Sequence, residues 1–566
     1  MTKRTKVLVI CICVVVFALA ICGLTACNKS DKLTLNNVKA EQIDKEQRVK
    51  VSWDVEGTPN QVVITVKKSN GTVDSMTTIT NATLLAKGYT TIDASYGLND
   101  IEIEISNRRY SDKKTIQAEV YTDEYVIAPL VATMPVTLFS LKLSEITNNY
   151  TIPTFVWLQR GMAWNYKEMP ENVHLIPVDT LDTMAGYLGT NYWKMYVETS
   201  KWVGELYKMN NNSKFHFYVN DYHPFVWLES TYLNRIPTNN YDVTLLTDGT
   251  ASNFVFESLY IKESAAEDYN DMVTEYNKYK QNLWDKNNQN LYNIVNVLNE
   301  NDRTRNWILP MLKEEPNVRL ILTRDYFNDS NNANTHETIK QYVNELKAEK
   351  KIEVVNLYTL LNALSETDQH RLKTLYNLGD SLFEKAVTAN KKVMVILGTR
   401  TTNENSNNFE EYVAATKAYY GDEYIYYYKG HPWTPTASDP AKAEKLEEMG
   451  LIDVDSSIAA ELIFYFNPDI ATTGYSSTTF GSLNENQVGG IFNQTLDNAL
   501  KTYSPYTKFV INKKDLGDGK YDSIAKAGNY IFEFANNEKY DVGVYDTKTD
   551  KIKYYKANGS EYTEVK

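Results

Sequence analysis

Five short polar clusters in this sequence each follow an apolar run and carry groups able to hold anions or move protons. Asn220-Asp221-Tyr222-His223-Pro224 follows Lys214–Val219, and Thr247-Asp248-Gly249-Thr250 follows Asp242–Leu246. Gly398-Thr399-Arg400-Thr401-Thr402 follows Val393–Leu397, and Lys429-Gly430-His431-Pro432-Trp433 follows Tyr424–Tyr428. The fifth, Thr472-Thr473-Gly474-Tyr475-Ser476-Ser477, follows Leu462–Phe466. A carboxylate can accept a proton from an attacking hydroxyl, and an imidazole can donate one. Serines and backbone N–H groups at a helix start can cradle a phosphate, and a glycine lets backbone approach a ligand closely. Singly, each cluster has an ordinary structural explanation: an Asp-Gly turn, a core or surface histidine, a Gly-Thr loop, a serine helix cap.

The elements that must position these clusters form a pattern. Tyr125–Ala128, Phe155–Leu158, Val173–Val178, Lys214–Val219 and Asp242–Leu246 read as buried strands, with helical stretches at Tyr187–Lys208 and Ala265–Glu300. A second series has strands at Val318–Thr323, Ile352–Val355, Val393–Leu397 and Tyr424–Tyr428, with long helices at Glu337–Ala348 and Asp368–Ala389. Repeated strand-then-helix order predicts parallel sheets covered by helices on both faces. Two series predict two α/β lobes, each binding ligands beyond the carboxyl ends of its strands. The polar clusters fall at those ends.

In that order and rough spacing the clusters resemble the bacterial sialyltransferases of glycosyltransferase family 80. The resemblance rests on Lys429-Gly430-His431-Pro432, on Asp248-Gly249 about 180 residues earlier, on Asn220 and His223 before it, and on the later Ser476-Ser477 pair. Ala132-Thr133-Met134-Pro135 resembles an early Ala-Ser-Leu-Pro segment of that family. Thr247, Trp433, Ala459 and Leu130 stand where the family usually has Asp, Arg, Ser and Asp, departures that bear on acceptor choice and donor affinity. The family implies a GT-B (double Rossmann-like) fold and transfer of sialic acid from CMP-Neu5Ac to a terminal galactose or GalNAc hydroxyl, with inversion and without a metal or other cofactor.

The resemblance also implies roles. Asp248 is the general base and His431 stabilises charge on the departing phosphate. Gly398, Lys429, Pro432, Glu461, Ser476 and Ser477 hold the CMP donor, with Glu461 on the ribose. Asn220, His223 and Trp433 lie on the acceptor side. His174, His216, His336 and His370 read as structural or surface residues.

Lys3, Arg4 and Lys6 precede an apolar run, Val7–Ala26, that ends in Leu24-Thr25-Ala26-Cys27 and looks like a lipoprotein signal (1–26). Cys27 is then lipidated, 27–32 form a tether, and the rest lies outside the cytoplasm on a bacterial membrane; an uncleaved transmembrane helix is the alternative. All four cysteines lie in the first 27 residues, so the remainder has no disulfide or thiol chemistry. Residues 33–122 alternate at period two in Val49–Trp53, Val62–Val66 and Ile101–Ile105, with a turn at Asn70-Gly71, and predict an immunoglobulin-like sandwich. The acceptor lobe is expected over 123–305, the donor lobe over 306–500, and a helix with a hairpin at Tyr530–Tyr555 over 501–566.

A formal charge of −13 without basic clusters argues against a nucleic-acid partner, and an anionic donor needs a local positive site. The 42 tyrosines reflect a Tyr-, Asn- and Lys-rich composition more simply than sugar stacking. The chain is expected to be a monomer. Two other functions fit the same residues: a GT-B transferase using another nucleotide sugar, and a non-catalytic surface glycan-binding lipoprotein.

Overall fold

Alternating burial builds the N-terminal region. The computed structural model describes residues 32–68, 71–158, 164–177, 191–221, 225–249, 252, 256, 258–285, 307–325, 335–379, 381–398, 407–431, 436, 439–475, 477, 479–480, 483–492, 508–511, 531–534, 538–546, 548–559 and 561–566. Residues 1–125 with 198–214 make one compact unit, and 126–197 with 215–566 make another.

In the first unit, strands β1 (Thr34–Gln42), β2 (Arg48–Glu56) and β5 (Tyr89–Asp93) form one antiparallel sheet. Strands β3 (Gln61–Lys68), β4 (Val73–Ile79), β6 (Gly97–Ser106) and β7 (Ser111–Val120) form a second, ordered β4-β3-β6-β7. Every second residue of β6 is buried, and Ile101, Ile103 and Ile105 are fully enclosed. That is the period of a sheet with one wet face.

The second unit holds two sheets whose central strands are buried on both faces. The first contains β8 (Glu124–Leu130), β9 (Thr154–Leu158), β10 (Val173–Leu175), β11 (Lys214–Asn220), β12 (Tyr241–Leu246), β13 (Val318–Leu322) and β14 (Ile352–Val354), ordered β10-β9-β8-β11-β12-β13-β14. The second contains β15 (Lys392–Leu397), β16 (Tyr424–Lys429), β17 (Ile452–Val454), β18 (Ala471–Tyr475), β19 (Val488–Phe492) and β20 (Lys508–Val510), ordered β17-β16-β15-β18-β19-β20. Numbered within each sheet, both orders begin 3-2-1-4-5-6, the doubly wound arrangement of dinucleotide-binding folds, and the first adds β14 as a seventh strand. The chain is therefore an all-β region followed by two Rossmann-like α/β lobes.

Three expectations need correction. Val318–Leu322 pairs with β12 and Ile352–Val354 with β13, so both strands belong to the first lobe and the expected boundary at 305/306 falls too early. The helix expected over Asp368–Ala389 is two helices, Glu366–Leu375 and Glu384–Ala389, interrupted where Asn377 turns to φ 55°. The C-terminal stretch is no separate hairpin: β21 (Ile531–Phe534), β22 (Val542–Asp546), β23 (Lys551–Asn558) and β24 (Glu561–Val565) extend the second sheet antiparallel from β20.

One hydrophobic cluster runs through both lobes, including Leu130, Met134 and Leu246 from the first and Leu397, Val454 and Leu462 from the second. The helices Leu357–Ala363 and Glu366–Leu375 contribute Leu361 and Leu375 to it. No described helix is long and apolar enough to cross a membrane. The signal-like segment and Cys27 lie outside the described residues, as do His223, Pro432, Trp433 and Ser476.

Candidate active site

In a doubly wound sheet the crevice opens where strand order reverses, between the first and fourth strands. In the first lobe that place lies between β8 and β11. Asn220, the last residue of β11, is buried and donates from Nδ2 to the Val131 carbonyl just beyond β8, at 2.8 Å. The next residue, Ala132, has φ 69° and ψ 166°, backbone that normally needs glycine and costs about 1–3 kcal/mol. The Asn220 clamp helps hold that turn, from which the Thr133–Leu141 helix departs.

Asp248 follows β12, beside β11. Its neighbours keep the sheet going one residue further: Asp221 donates its N–H to the Leu246 carbonyl at 3.0 Å, and Thr247 donates to Ile321 at 3.1 Å. The Asp248 N–H then leaves the ladder and meets Ser252 Oγ at 2.9 Å and Asp221 Oδ1 at 3.2 Å. Asp221 and Ser252 are fully buried, whereas Asp248 is partly exposed. Gly249, with φ 74°, turns the chain away; a Cβ there would lie 3.9 Å from Met134 on the Thr133–Leu141 helix.

In the second lobe the crevice lies between β15 and β18. Gly398, just past β15, donates its N–H to the Lys429 carbonyl at 3.0 Å, and His431, two residues past Lys429, is partly exposed. Lys429 is buried, and its Nζ donates to the carbonyls of Gly430 and Ser456, both at 2.9 Å. Burial pushes its ammonium down to about 8, against the pull of Glu461, Asp455 and Asp453. Glu461, in the first turn of the Ala460–Phe466 helix, is also buried and accepts from Thr479 Oγ1 at 3.1 Å. Ser477 Oγ donates to Thr479 Oγ1 at 3.1 Å and accepts the Thr479 N–H at 3.3 Å. Of the residues just after Ser477, Thr479 and Phe480 lie in 3-10 helix. Leu462–Phe466, the apolar run before the fifth cluster, is helical, and the cluster itself begins in β18, which contains Thr472, Thr473 and Gly474.

Gly474 is needed for packing. At φ 134°, a Cβ on it would collide with the backbone of Leu397 in β15. Gly474→Ala is expected to lower stability by about 2 kcal/mol or more. A lower denaturant midpoint with an unchanged m-value would show it.

Side chains tie the segment between the two sheets to the first lobe. Tyr376, just after the Glu366–Leu375 helix, has its hydroxyl 2.7 Å from Ser140 Oγ on the Thr133–Leu141 helix. Trp164 Nε1 donates to the same Ser140 Oγ at 3.1 Å. Burial raises the Tyr376 hydroxyl, and the charge of nearby Glu461 adds to the shift. Tyr376 thus ties the segment between the two sheets to the Thr133–Leu141 helix. The structure places Asp248 and Asn220 on the first sheet. It gathers Gly398, Lys429, His431, Glu461 and Ser477 at the carboxyl ends of strands, or on the segment linking them, in the second.

Sequence reasoning gave no role to Asp221, although it lies inside a quoted cluster, and overlooked Ser252, Ser140 and Tyr376. It also missed Glu229, in the turn of π-helix Glu229–Leu233 that continues the Phe225–Leu228 helix. Glu229 is fully buried, and neither carboxyl oxygen has a hydrogen-bond partner. The Tyr279 hydroxyl, which feels the Glu229 charge, is also buried and unpaired, as is Nε1 of Trp307, whose ring lies 5.2 Å from that of Tyr279. Burial pushes the Glu229 carboxyl up to about 8.

The sequence matches no family model and no curated protein. Among solved structures the chain is similar to a 2,6-sialyltransferase of Vibrionaceae Photobacterium sp. JT-ISH-224, solved in a ternary complex with the donor product CMP and the acceptor substrate lactose. That match has 13% identity and a TM-score of 0.47, over 84% of this chain and 91% of that one. It is also similar to an α/β-galactoside α-2,3-sialyltransferase of Photobacterium phosphoreum, at 12% identity and a TM-score of 0.48, over 68% of this chain and 95% of that one. A sialyltransferase of Photobacterium damsela gives 11% identity and a TM-score of 0.47, over 84% and 96%.

Proposed function

We propose that the chain is a sialyltransferase that moves N-acetylneuraminic acid from CMP-Neu5Ac to a terminal galactose or GalNAc hydroxyl. One observation carries the reading. The motif residues that share a family pattern fall at the crevices of two doubly wound sheets, with Asp248 in one and Lys429, His431 and Glu461 in the other. Ser140 hydrogen-bonds with Tyr376, and Tyr376 stands near enough to Glu461 to feel its charge.

In this mechanism Asp248 takes the proton of the acceptor hydroxyl as its oxygen attacks the anomeric carbon. The bond from that carbon to the CMP phosphate oxygen breaks, and its electron pair leaves with CMP. His431 hydrogen-bonds to or protonates that oxygen. Attack from the opposite face inverts the anomeric centre. Glu461 accepts from the ribose, Gly398 allows close approach of the cytosine, and Lys429, Pro432, Ser476 and Ser477 surround the phosphate; no metal is required. His223 and Trp433 lie on the acceptor side. The all-β region serves as an immunoglobulin-like spacer, and lipidated Cys27 anchors the chain outside the cytoplasm.

Titration calorimetry with CMP, UMP and GMP tests the donor half. CMP is expected to bind best; tighter binding of UMP or GMP would contradict this reading. The Lys429 ammonium gives a second expectation. If it must be charged to face the phosphate, CMP affinity holds below about pH 8 and then falls toward about tenfold per pH unit. The Lys429→Met variant should lack this dependence. Flat wild-type affinity between pH 7 and pH 10 would show that Lys429 does not face the phosphate.

A further inference from the structure

Asp248 is the first residue past β12 whose backbone N–H has left the sheet, yet that N–H is held from two sides. Asp221 Oδ1 accepts it at 3.2 Å and Ser252 Oγ at 2.9 Å. Ser252 Oγ donates in turn to Asp221 Oδ2 at 2.5 Å. The three groups close a ring drawn from three chain segments: the end of β11, the end of β12, and a residue four positions beyond Asp248.

Both supporting side chains are fully enclosed, Asp221 at 0% and Ser252 at 0% exposure. An enclosed carboxylate is costly unless hydrogen bonds offset its lost hydration. Here Ser252 and the Asp248 N–H supply two. The Asp221 N–H is also tied to Leu246, so the carboxylate leaves a backbone that cannot shift along the sheet. The ring therefore fixes the Asp248 Cα against two rigid strands, while Gly249 turns the chain away behind it.

We propose that Asp221 and Ser252 are positioning residues for Asp248, fixing where its carboxylate stands relative to the acceptor hydroxyl. The inference rests on the transferase reading above, in which Asp248 is the base. Proton abstraction needs the two heavy atoms within hydrogen-bond reach, and a misplacement of about 1 Å can lower the rate about 100-fold. Asparagine at 221 keeps the shape but offers one oxygen where two acceptors are needed. Its NH₂ group must then face either the Asp248 N–H or the Ser252 hydroxyl.

The test uses the full chain purified in detergent, with CMP-Neu5Ac and lactose as substrates and CMP calorimetry as a check on folding. Asp221→Asn is expected to lower kcat about 100-fold, and Ser252→Ala about tenfold, with KM for both substrates and CMP affinity within twofold of wild type. Ser252→Thr, which keeps the hydroxyl, should restore kcat to within threefold of wild type. A purely structural role would instead lower thermal stability and CMP binding, with no effect on kcat per folded molecule.

Asp221→Asn with kcat within threefold of wild type and intact CMP binding overturns the proposal. If Asp221→Asn does not fold, the serine decides: Ser252→Ala with unchanged kcat overturns it, and loss in Ser252→Ala with rescue in Ser252→Thr supports it. Wild-type protein that binds CMP but transfers no sialic acid overturns the transferase reading, and the positioning role falls with it.

Discussion

Asp248→Ala is expected to lose about 10²–10⁴-fold in turnover of CMP-Neu5Ac with a galactoside acceptor, while binding CMP as tightly as wild type. The separation of effects follows from the architecture. Asp248 extends from β12 in the first sheet, whereas the groups assigned to the nucleotide lie in the second, at the ends of β15 and β16 and on the Ala460–Phe466 helix. Truncating a partly exposed side chain at the end of β12 leaves the Asp221–Ser252 ring in place, since that ring uses the Asp248 backbone N–H. The protein should therefore fold, and thermal melting with and without CMP checks that it does. Asp248→Asn should behave alike, because the amide cannot take the proton. Full activity in both variants would mean that another group is the base, or that the measured reaction is not sialyl transfer.

Glu229→Gln is expected to stabilise the protein by an amount that grows with pH. A carboxyl held at about 8 in the fold and near its ordinary 4.5 when unfolded keeps its proton in the native state long after the unfolded chain has released it. Between those values the native state binds more protons, so wild-type stability falls as pH rises. The fall begins near pH 4.5, is complete above about pH 8, and amounts to about 5 kcal/mol. Glutamine cannot ionise, so the variant lacks this loss; it matches wild type near pH 4 and exceeds it increasingly toward pH 8. Denaturant midpoints at pH 4, 6 and 8 measure the effect. Equal midpoints for the two proteins at pH 8 would show that Glu229 finds a partner or solvent there.

What the sequence made legible was local. The alternation in Ile101–Ile105 marked a half-wet strand, and the apolar run at Val393–Leu397 marked a buried one. Because polar groups at the ends of parallel strands point into a crevice, Asp248, Lys429 and His431 could be singled out without knowing their neighbours. What stayed hidden was pairing. Nothing local in Val318–Leu322 tells whether it adds to the sheet before it or begins the next, and its register opposite Val243 decides the matter. Leu462–Phe466 is a short apolar run that periodicity cannot divide between strand and helix. The Asp368–Ala389 pattern keeps helical spacing across Asn377, whose left-handed backbone breaks it.

The supporting residues of the site were hidden for the same reason. Ser140 and Tyr376 meet across 236 positions, and Asp221 and Ser252 across 31. Glu229 looked like an ordinary helix glutamate, since nothing in its local sequence marks its complete burial.

Mass analysis of lactose after incubation of the full chain with CMP-Neu5Ac bears most directly on the assignment. The account requires lactose heavier by a single sialyl residue and equimolar release of CMP, both lost in Asp248→Ala. Untouched CMP-Neu5Ac alongside consumption of a UDP- or GDP-sugar would contradict it.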